Sequence, residues 1–422
     1  MRAIASSRAP VLRNYRLVYR YVIDGAQLAM RSAAMPAYFG LRWIGDWERR
    51  TTDWLLPAWS DVLLQMKVAA DEIFFATELM AGMNIGAFLD GRRVRREVEA
   101  AIDLFEERGW LERPEEYHRT PPPLEPTTVT RELVNGMPFE HLCFESGYQP
   151  WAGEPGAQRW MAYEANLTGH VRLFRHPGPP RPWVVCVPAY RMGHLLVDVA
   201  GFRAHWLHER LGLNVAIPVQ PFHGPRTHPG TRGGDGYLCG DFVDTLHAQT
   251  QMLWDLRRLV PWLRQAHGAP AIGVYGVSLG ASTAAALASL EDHLDCVVIG
   301  IPAVDLVDLL HSHIPRMLLR ATEQLGFPWD RIPVMLRVVS PLALRLRTDR
   351  RHCYIFGGTS DTLAPPRQTR ALWEHWGRPR LLQYRGGHVS FLVEPEVRDL
   401  LVEAFTRTGL LGRSEHDTSS TA

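Results

Sequence analysis

Hydrophobic residues along the chain change their spacing near residue 118. Up to that point they recur every three or four positions, in stretches that predict amphipathic helices. Beyond residue 130 they form short continuous runs that alternate with helical patterns. This alternation predicts an α/β fold, a mostly parallel doubly wound sheet with helices on both faces. The helical stretches of the first part are residues 11–30, 54–66, 73–83 and 94–110.

The second part is predicted to alternate strands with helices along its whole length. Short apolar runs are typical of strands that are buried on both faces. The predicted strands are residues 139–145, 159–176, 183–187, 214–219, 271–275, 296–301, 352–356 and 381–384. The predicted helices are residues 197–211, 241–267, 281–288, 368–376 and 394–408.

A proline-rich segment separates the two parts. It contains Pro121, Pro122, Pro123 and Pro126, a composition typical of a stiff linker. The domain prediction is an N-terminal helical region at 1–118, the linker at 119–129 and an α/β domain at 130–410, followed by a disordered tail at 411–422. Within the α/β domain, residues 305–346 are rich in proline and helical patterns, and are expected to form a lid.

Composition and charge argue against several classes of function. The formal net charge of +1 gives no electrostatic case for nucleic acid binding. The chain lacks the run of eighteen apolar residues that predicts a membrane-spanning helix. The five cysteines are scattered and show no paired ligand spacing, so we expect a cytoplasmic protein with no metal site.

Tryptophans cluster near arginines in the N-terminal region, at Trp43, Trp47, Trp54 and Trp59. This mixture is also found in helices that lie on a membrane surface. Packing of the tryptophans onto the rest of the protein, or across a homodimer interface, is the favoured interpretation.

The pentapeptide Gly276-Val277-Ser278-Leu279-Gly280 carries the main chemical signal. It follows an apolar run and precedes a helical segment of small residues, so Ser278 is predicted on a sharp turn from strand to helix. Such a turn strains the serine backbone and requires small flanking residues. The N-terminus of the helix then favours negative charge that develops beside the serine. Ser278 is therefore the candidate nucleophile.

A serine nucleophile needs a base, and a third group that orients the base. His388 follows the predicted strand 381–384 in a Gly-Gly-His sequence, and Asp361 follows the strand 352–356. Asp305, after the strand 296–301, is the rival acid. Because the carboxyl ends of parallel strands share one edge of a sheet, these groups are expected to lie there together.

The chain order Ser278, Asp361, His388, each just beyond a predicted strand, resembles that of the α/β-hydrolase superfamily. The resemblance covers residues 130–410 and leaves the first 118 residues outside it. It implies an esterase- or lipase-like enzyme with a Ser-His-Asp triad and no cofactor. It also implies an oxyanion hole made by the backbone amides of Leu279 and Tyr190. Many members carry His-Gly where this chain has Pro188-Ala189.

A further polar loop, residues 221–226, follows the strand 214–219. Related hydrolases often place a glycine and an arginine here, beside the nucleophile turn. His223 is accordingly a candidate pocket residue, and Arg226 a candidate partner for a substrate carboxylate. The alternative for Arg226 is a structural salt bridge, or hydrogen bonds to loop carbonyls.

These features predict a hydrolase that cleaves a small-molecule carboxylic ester. The same triad also serves amidases, peptidases and thioesterases, which stay open as alternatives. A non-catalytic interaction protein on a hydrolase scaffold is the alternative from another class. An apolar acyl group is expected from the apolar residues of the lid, which are Met317, Leu318, Leu319, Phe327 and Trp329.

Overall fold

The computed structural model describes residues 62–81, 86–238 and 240–412 of the 422-residue chain. The predicted helix at residues 11–30, the four N-terminal tryptophans and the tail beyond residue 412 lie outside the described residues.

The described residues form one nine-stranded sheet in the order β1-β2-β3-β5-β4-β6-β7-β8-β9. The strands from β5 to β9 pair in parallel, and the β1–β2, β2–β3 and β3–β5 pairs are antiparallel. The predicted mostly parallel sheet is therefore confirmed. The strands are β1 (Pro126–Val134), β2 (Met137–Glu145), β3 (Thr168–Phe174), β4 (Trp183–Val187), β5 (Asn214–Pro218), β6 (Ile272–Val277), β7 (Cys296–Gly300), β8 (Cys353–Gly358) and β9 (Arg380–Tyr384).

Helices lie before, between and after the strands. Short 3₁₀ turns add Pro114–Tyr117, Glu164–Leu167, Gly224–Arg226, Leu336–Val338, Arg350–His352 and Val389–Leu392, and one π-helical turn spans Trp206–Arg210. The α-helices are α1 (Val62–Ala81), α2 (Gly86–Leu89), α3 (Gly91–Glu107), α4 (Ala157–Met161), α5 (Leu195–Gly201), α6 (Phe242–His267), α7 (Leu279–Leu290), α8 (Leu306–His313), α9 (Arg316–Gln324), α10 (Ile332–Met335), α11 (Pro366–His375) and α12 (Pro395–Arg407).

The alternation of side chains along each central strand supplies two hydrophobic cores, one on each face of the sheet. In β4, Val185 belongs to the core under α6, α7 and α11, whereas Val184 belongs to the core under α5 and α12. Every residue of β4 is buried, which explains the unbroken apolar run in the sequence.

One strand prediction and the end of the predicted linker, residues 119–129, need correction. Residues 159–176 do not form a single strand, because the segment begins within α4 and only Thr168–Phe174 is extended. Trp160 is fully buried there, and its indole N–H donates to Gln251 Oε1 at 3.0 Å, a tertiary contact that favours the helical turn. Strand β1 begins inside the predicted linker; hydrophobicity does not mark it, since all of its residues except Val134 are exposed.

The N-terminal helices share a core with the α/β part of the chain. The stretches 54–66 and 73–83 contribute to one continuous helix, α1, as far as they are described. Helix α3 buries an apolar stripe against α6 and α10. The proline segment is also anchored, because Arg258 donates to the carbonyls of Pro122 and Pro123 at 3.1 and 3.0 Å.

The predicted lid, residues 305–346, folds as α8, α9, α10 and a 3₁₀ turn. Phe327 and Trp329 are buried in it and stack with Phe88 of α2 at ring distances of 5.0 and 5.7 Å. The expectation that these two rings contact an acyl group is therefore wrong. Met317 and Leu318 on α9 are exposed. No helix among the described residues has the length and apolar character needed to cross a membrane.

Candidate active site

Ser278 lies on the turn that joins β6 to α7. Its backbone has φ +54° and ψ −117°, a conformation that residues other than glycine rarely adopt. The end of β7 and the residues after it hold the backbone N–H and C=O of Ser278. Ser278 N donates to Gly300 O at 3.0 Å, and Ser278 O accepts from Ala303 N at 3.3 Å. The surrounding structure thus holds a strained serine, as a nucleophile turn requires.

The two glycines of the pentapeptide allow this turn to pack tightly. A Cβ on Gly276 would lie 2.7 Å from Ala284 Cβ in α7. A Cβ on Gly280 would collide with the carbonyl oxygens of Val187 and Pro188 at the end of β4. The glycines therefore let α7 begin directly against the central strands, with the amide of Leu279 at its first turn.

His388 and Asp361 form a close pair at the same edge of the sheet. His388 Nδ1–H donates to Asp361 Oδ2 at 2.7 Å, and the other carboxylate oxygen accepts from the amides of Leu363 and Ala364 at 3.0 and 2.7 Å. Asp305 instead caps α8, accepting from the amides of Val307 and Asp308. Asp361, and not Asp305, is therefore the acid that contacts His388.

The surroundings of His388 favour its charged form. Burial alone lowers its pKa, but the charge and hydrogen bond of Asp361, together with the charge of Asp71, outweigh the burial. The pKa of His388 consequently lies above the usual value. Its Nε2 atom takes no part in the hydrogen bond to Asp361. There is no direct hydrogen bond between the described Ser278 and His388 side chains, a contact that is often long without substrate.

Asp71 is a site residue that the sequence analysis missed. This buried carboxylate on α1 accepts from His388 N at 2.6 Å and from Val389 N at 2.9 Å. Thr362 N, beside Asp361, lies 3.3 Å from the same carboxylate. Burial raises the pKa of Asp71, and the two backbone hydrogen bonds oppose the rise. A residue from the N-terminal helical region thus fixes the loops of both the predicted base and the predicted acid.

Lys67, one turn before Asp71, fastens α1 to the same region. Its Nζ lies 2.7 Å from Glu394 Oε1 and donates to Arg385 O at 3.2 Å. One turn beyond Asp71, Phe75 of α1 packs against His313 at a ring distance of 4.5 Å. Lys67 is the chain's single lysine, and the helical spacing of Lys67, Asp71 and Phe75 was the available sequence signal.

Tyr190, a predicted oxyanion donor, lies in the loop after β4. The backbone amides of the residues on either side of Tyr190 contact side chains within the protein. Ala189 N lies 3.2 Å from Met192 Sδ, and Arg191 N donates to His223 Nε2 at 3.1 Å. These contacts fix the path of the backbone through Tyr190; donation by its amide to an oxyanion stays a prediction.

The far end of this loop is held by a buried ion pair. Gly193 N donates to Asp198 Oδ1 at 2.7 Å, and Arg172 donates to both Asp198 and Gly193 O. Burial raises the pKa of Asp198 to about 6, and the charge of Arg172 opposes the rise. Asp198 and Arg172 thus fix the backbone of this loop at Gly193.

His223 does not line a substrate pocket, which corrects the sequence expectation. It is buried, its Nδ1–H donates to Pro221 O at 2.8 Å, and its Nε2 accepts from Arg191 N. Burial lowers the pKa of His223 to about 4, so the ring is neutral near pH 7. Nε2 therefore positions the loop that carries Tyr190, and Nδ1 fixes the ring within its own loop.

Arg226 is likewise structural. It is fully buried, lies 2.9 Å from Asp255 Oδ2, and donates to the carbonyls of Val219 and Asn166 at 3.0 and 2.8 Å. Its assignment to a substrate carboxylate is wrong, and the alternative of a salt bridge with loop hydrogen bonds describes it.

Comparison with known proteins identifies relatives and a fold. No protein-family model matches the chain. The chain is 39% identical over 337 residues to the uncharacterized protein Rv2627c of Mycobacterium tuberculosis (strain ATCC 25618 / H37Rv), an alignment that covers 78% of this chain and 79% of the relative. The uncharacterized protein MT2702 of strain CDC 1551 / Oshkosh matches to the same extent. The chain belongs to the family of these mycobacterial proteins.

A solved structure extends the comparison to the fold. Acetyl xylan esterase 1 from Thermoanaerobacterium sp. JW/SL YS485 matches with a TM-score of 0.50 and 15% identity, over 73% of this chain and 94% of that chain. The family member described here therefore has an α/β-hydrolase fold, as its sequence pattern indicated.

Proposed function

We propose that this protein is a serine hydrolase that cleaves carboxylic esters through an acyl-enzyme. The supporting observation is the strained Ser278, at φ +54°, on the same sheet edge as the His388–Asp361 pair. A serine that merely capped α7 would not need this backbone conformation.

In the proposed reaction, His388 Nε2 takes the proton from Ser278 Oγ while the oxygen attacks the ester carbonyl carbon. Asp361 holds the Nδ1–H tautomer, which leaves Nε2 free to accept that proton. The amides of Leu279 and Tyr190 would donate to the oxyanion of the tetrahedral intermediate. His388 then protonates the departing alcohol, and water, activated by the same histidine, releases the acid and restores Ser278.

The proposed substrate carries an apolar acyl group. Helix α9 begins three residues after His313, whose Nε2–H donates to Leu363 O in the acid loop at 2.8 Å. The exposed Met317 and Leu318 on this helix support the proposal, since they lie close in sequence to that contact. A panel of esters with increasing acyl length tests it, and equal rates along the panel would argue against an apolar preference. Matched thioester and amide substrates in the same assay decide the bond type.

Covalent labelling tests the nucleophile. A fluorophosphonate probe is expected to label the unaltered protein and to leave Ser278→Ala unlabelled. Ser289→Ala is the matched control, because Ser289 is a buried serine of α7, the helix that follows Ser278, and its hydroxyl donates to Ala285 O at 3.0 Å. Equal labelling of Ser278→Ala would contradict the proposal. Absence of labelling in the unaltered protein would favour the non-catalytic alternative.

A further inference from the structure

Two histidines and a cysteine meet on one face of the antiparallel part of the sheet. His141 and Cys143 alternate along β2, so both side chains leave the same face. The register pairs Cys143 with His170 on β3, which brings the third side chain beside them. All three side chains are half-buried, which leaves the group accessible to a small ion.

The three donor atoms form a compact triangle. His141 Nε2 lies 3.1 Å from His170 Nδ1, and Cys143 Sγ lies 3.3 Å from His170 Nδ1 and 3.8 Å from His141 Nε2. A tetrahedral zinc ion with ordinary bond lengths separates two nitrogen ligands by about 3.3 Å, and a nitrogen from a sulfur by about 3.6 Å. The triangle therefore has the size of three corners of a zinc tetrahedron.

A carboxylate behind His141 orients its ring. Glu132 Oε1 on β1 lies 3.3 Å from His141 Nδ1 and also accepts from Thr130 Oγ1 at 3.1 Å. If Nδ1–H donates to this carboxylate, the lone pair of Nε2 points toward Cys143 and His170. Carboxylates in this position are a recurrent support of metal-bound histidines.

We propose that His141, Cys143 and His170 bind one Zn²⁺ ion, with a water or an outside ligand in the fourth position. Binding requires the thiolate, so Cys143 releases its proton as the Zn–S bond forms. The ion would join β2 to β3. Strand β3 lies three strand positions from β6, about 14 Å away across the sheet, so the ion has no part in the proposed ester hydrolysis.

This site departs from the sequence expectation of no metal. The pair His141-Leu142-Cys143 supplies two ligands at alternate positions of one strand, but the third is 27 residues beyond Cys143. Only the strand register brings His170 to them, and register cannot be read from ligand spacing.

Metal titration of the full-length protein without an affinity tag tests the proposal. The chelator-stripped protein is expected to take up one equivalent of Zn²⁺ in competition with a chromogenic chelator. His141→Ala and His170→Ala should each weaken this uptake by at least about tenfold. His293→Ala, an exposed histidine elsewhere on the surface, is the matched control and should retain full uptake.

Cobalt substitution tests the ligand set itself. Co²⁺ in the unaltered protein should show the intense visible bands of a tetrahedral site, with a sulfur-to-cobalt charge-transfer band that Cys143→Ser lacks. Circular dichroism of each variant establishes that it is folded. No zinc uptake by the unaltered protein, or a charge-transfer band that survives in folded Cys143→Ser, would overturn the proposal. The ester hydrolase assay is independent, because zinc removal is expected to leave its rate unchanged.

Discussion

The backbone amide of His388 donates to the carboxylate of Asp71, a residue 317 positions earlier in the chain, at 2.6 Å. The helix that carries Asp71 lies outside the part of the chain that resembles α/β hydrolases. Its carboxylate nevertheless binds two consecutive amides of the loop that holds the predicted base. The N-terminal region is therefore part of the support of the proposed active site.

Loss of the Asp71 carboxylate is expected to lower activity without changing substrate binding. In Asp71→Ala the amides of His388 and Val389 lose their acceptor, and a small displacement of the base can cost on the order of 100-fold in rate. We expect kcat to fall about 10- to 100-fold with KM little changed. Asp103→Asn, an exposed acid on α3, is the control and should match the unaltered protein.

The pH profile tests a charge effect of Asp71 on His388, which a mere loss of folding would not produce. The reaction needs neutral His388, and its pKa is raised, so kcat/KM should increase with pH at values above those of an ordinary histidine. Since the charge of Asp71 contributes to that rise, Asp71→Asn should move the acid limb of the profile to lower pH. An unchanged acid limb would show that Asp71 exerts no charge effect on His388.

Replacement of the two candidate acids by asparagine should affect activity very differently. Asp361→Asn removes the group that fixes the His388 tautomer, and a loss of about 10⁴-fold in kcat is expected. Asp305→Asn should keep both activity and stability, because asparagine caps a helix about as well as aspartate. Steady-state ester hydrolysis measures both variants, and a comparable loss in Asp305→Asn would contradict the assignment of Asp361.

Gly280→Ala is expected to disrupt the nucleophile turn. Its Cβ would enter the space of two backbone carbonyls that cannot rotate away, so destabilisation of about 1–3 kcal/mol or more is expected, with loss of probe labelling. Gly412→Ala is the control, since its Cβ would meet no atom within 4 Å. Thermal unfolding compares the two, and equal midpoints would argue against the packing described at α7.

Lys67→Met should loosen the contact between α1 and the histidine loop. The change leaves the nearly buried Glu394 without its cation, at a cost of about 1.5–3 kcal/mol. Hydrogen exchange should then accelerate at the amides of His388 and Val389. Arg96→Met, an exposed residue of α3, should leave exchange at these amides unaltered. Unaltered exchange in Lys67→Met would mean that the ion pair does not hold the loop.

The sequence allowed prediction of the fold and of the three candidate triad residues, because both depend on local patterns. The buried run of β4 and the glycine-flanked Ser278 are visible without any partner residue. By contrast, Asp71 reads as an ordinary helical acid until α1 packs against the histidine loop. His223 reads as a polar loop residue, and only the folded structure shows that both ring nitrogens hydrogen-bond to backbone groups. Residues whose role depends on distant contacts were therefore missed or misassigned.

The Asp71–His388 hydrogen bond also constrains when the protein can mature during its synthesis. At ribosomal rates of about 5–20 residues per second, the histidine loop is made roughly 15–60 s after Asp71. Until then water can solvate the carboxylate, whereas the apolar side of α1 lacks its final partners and needs chaperones or transient contacts to cover it. A nascent chain released before residue 388 would contain Ser278 on a nearly complete sheet, yet could not acquire the proposed activity because it would lack the proposed base.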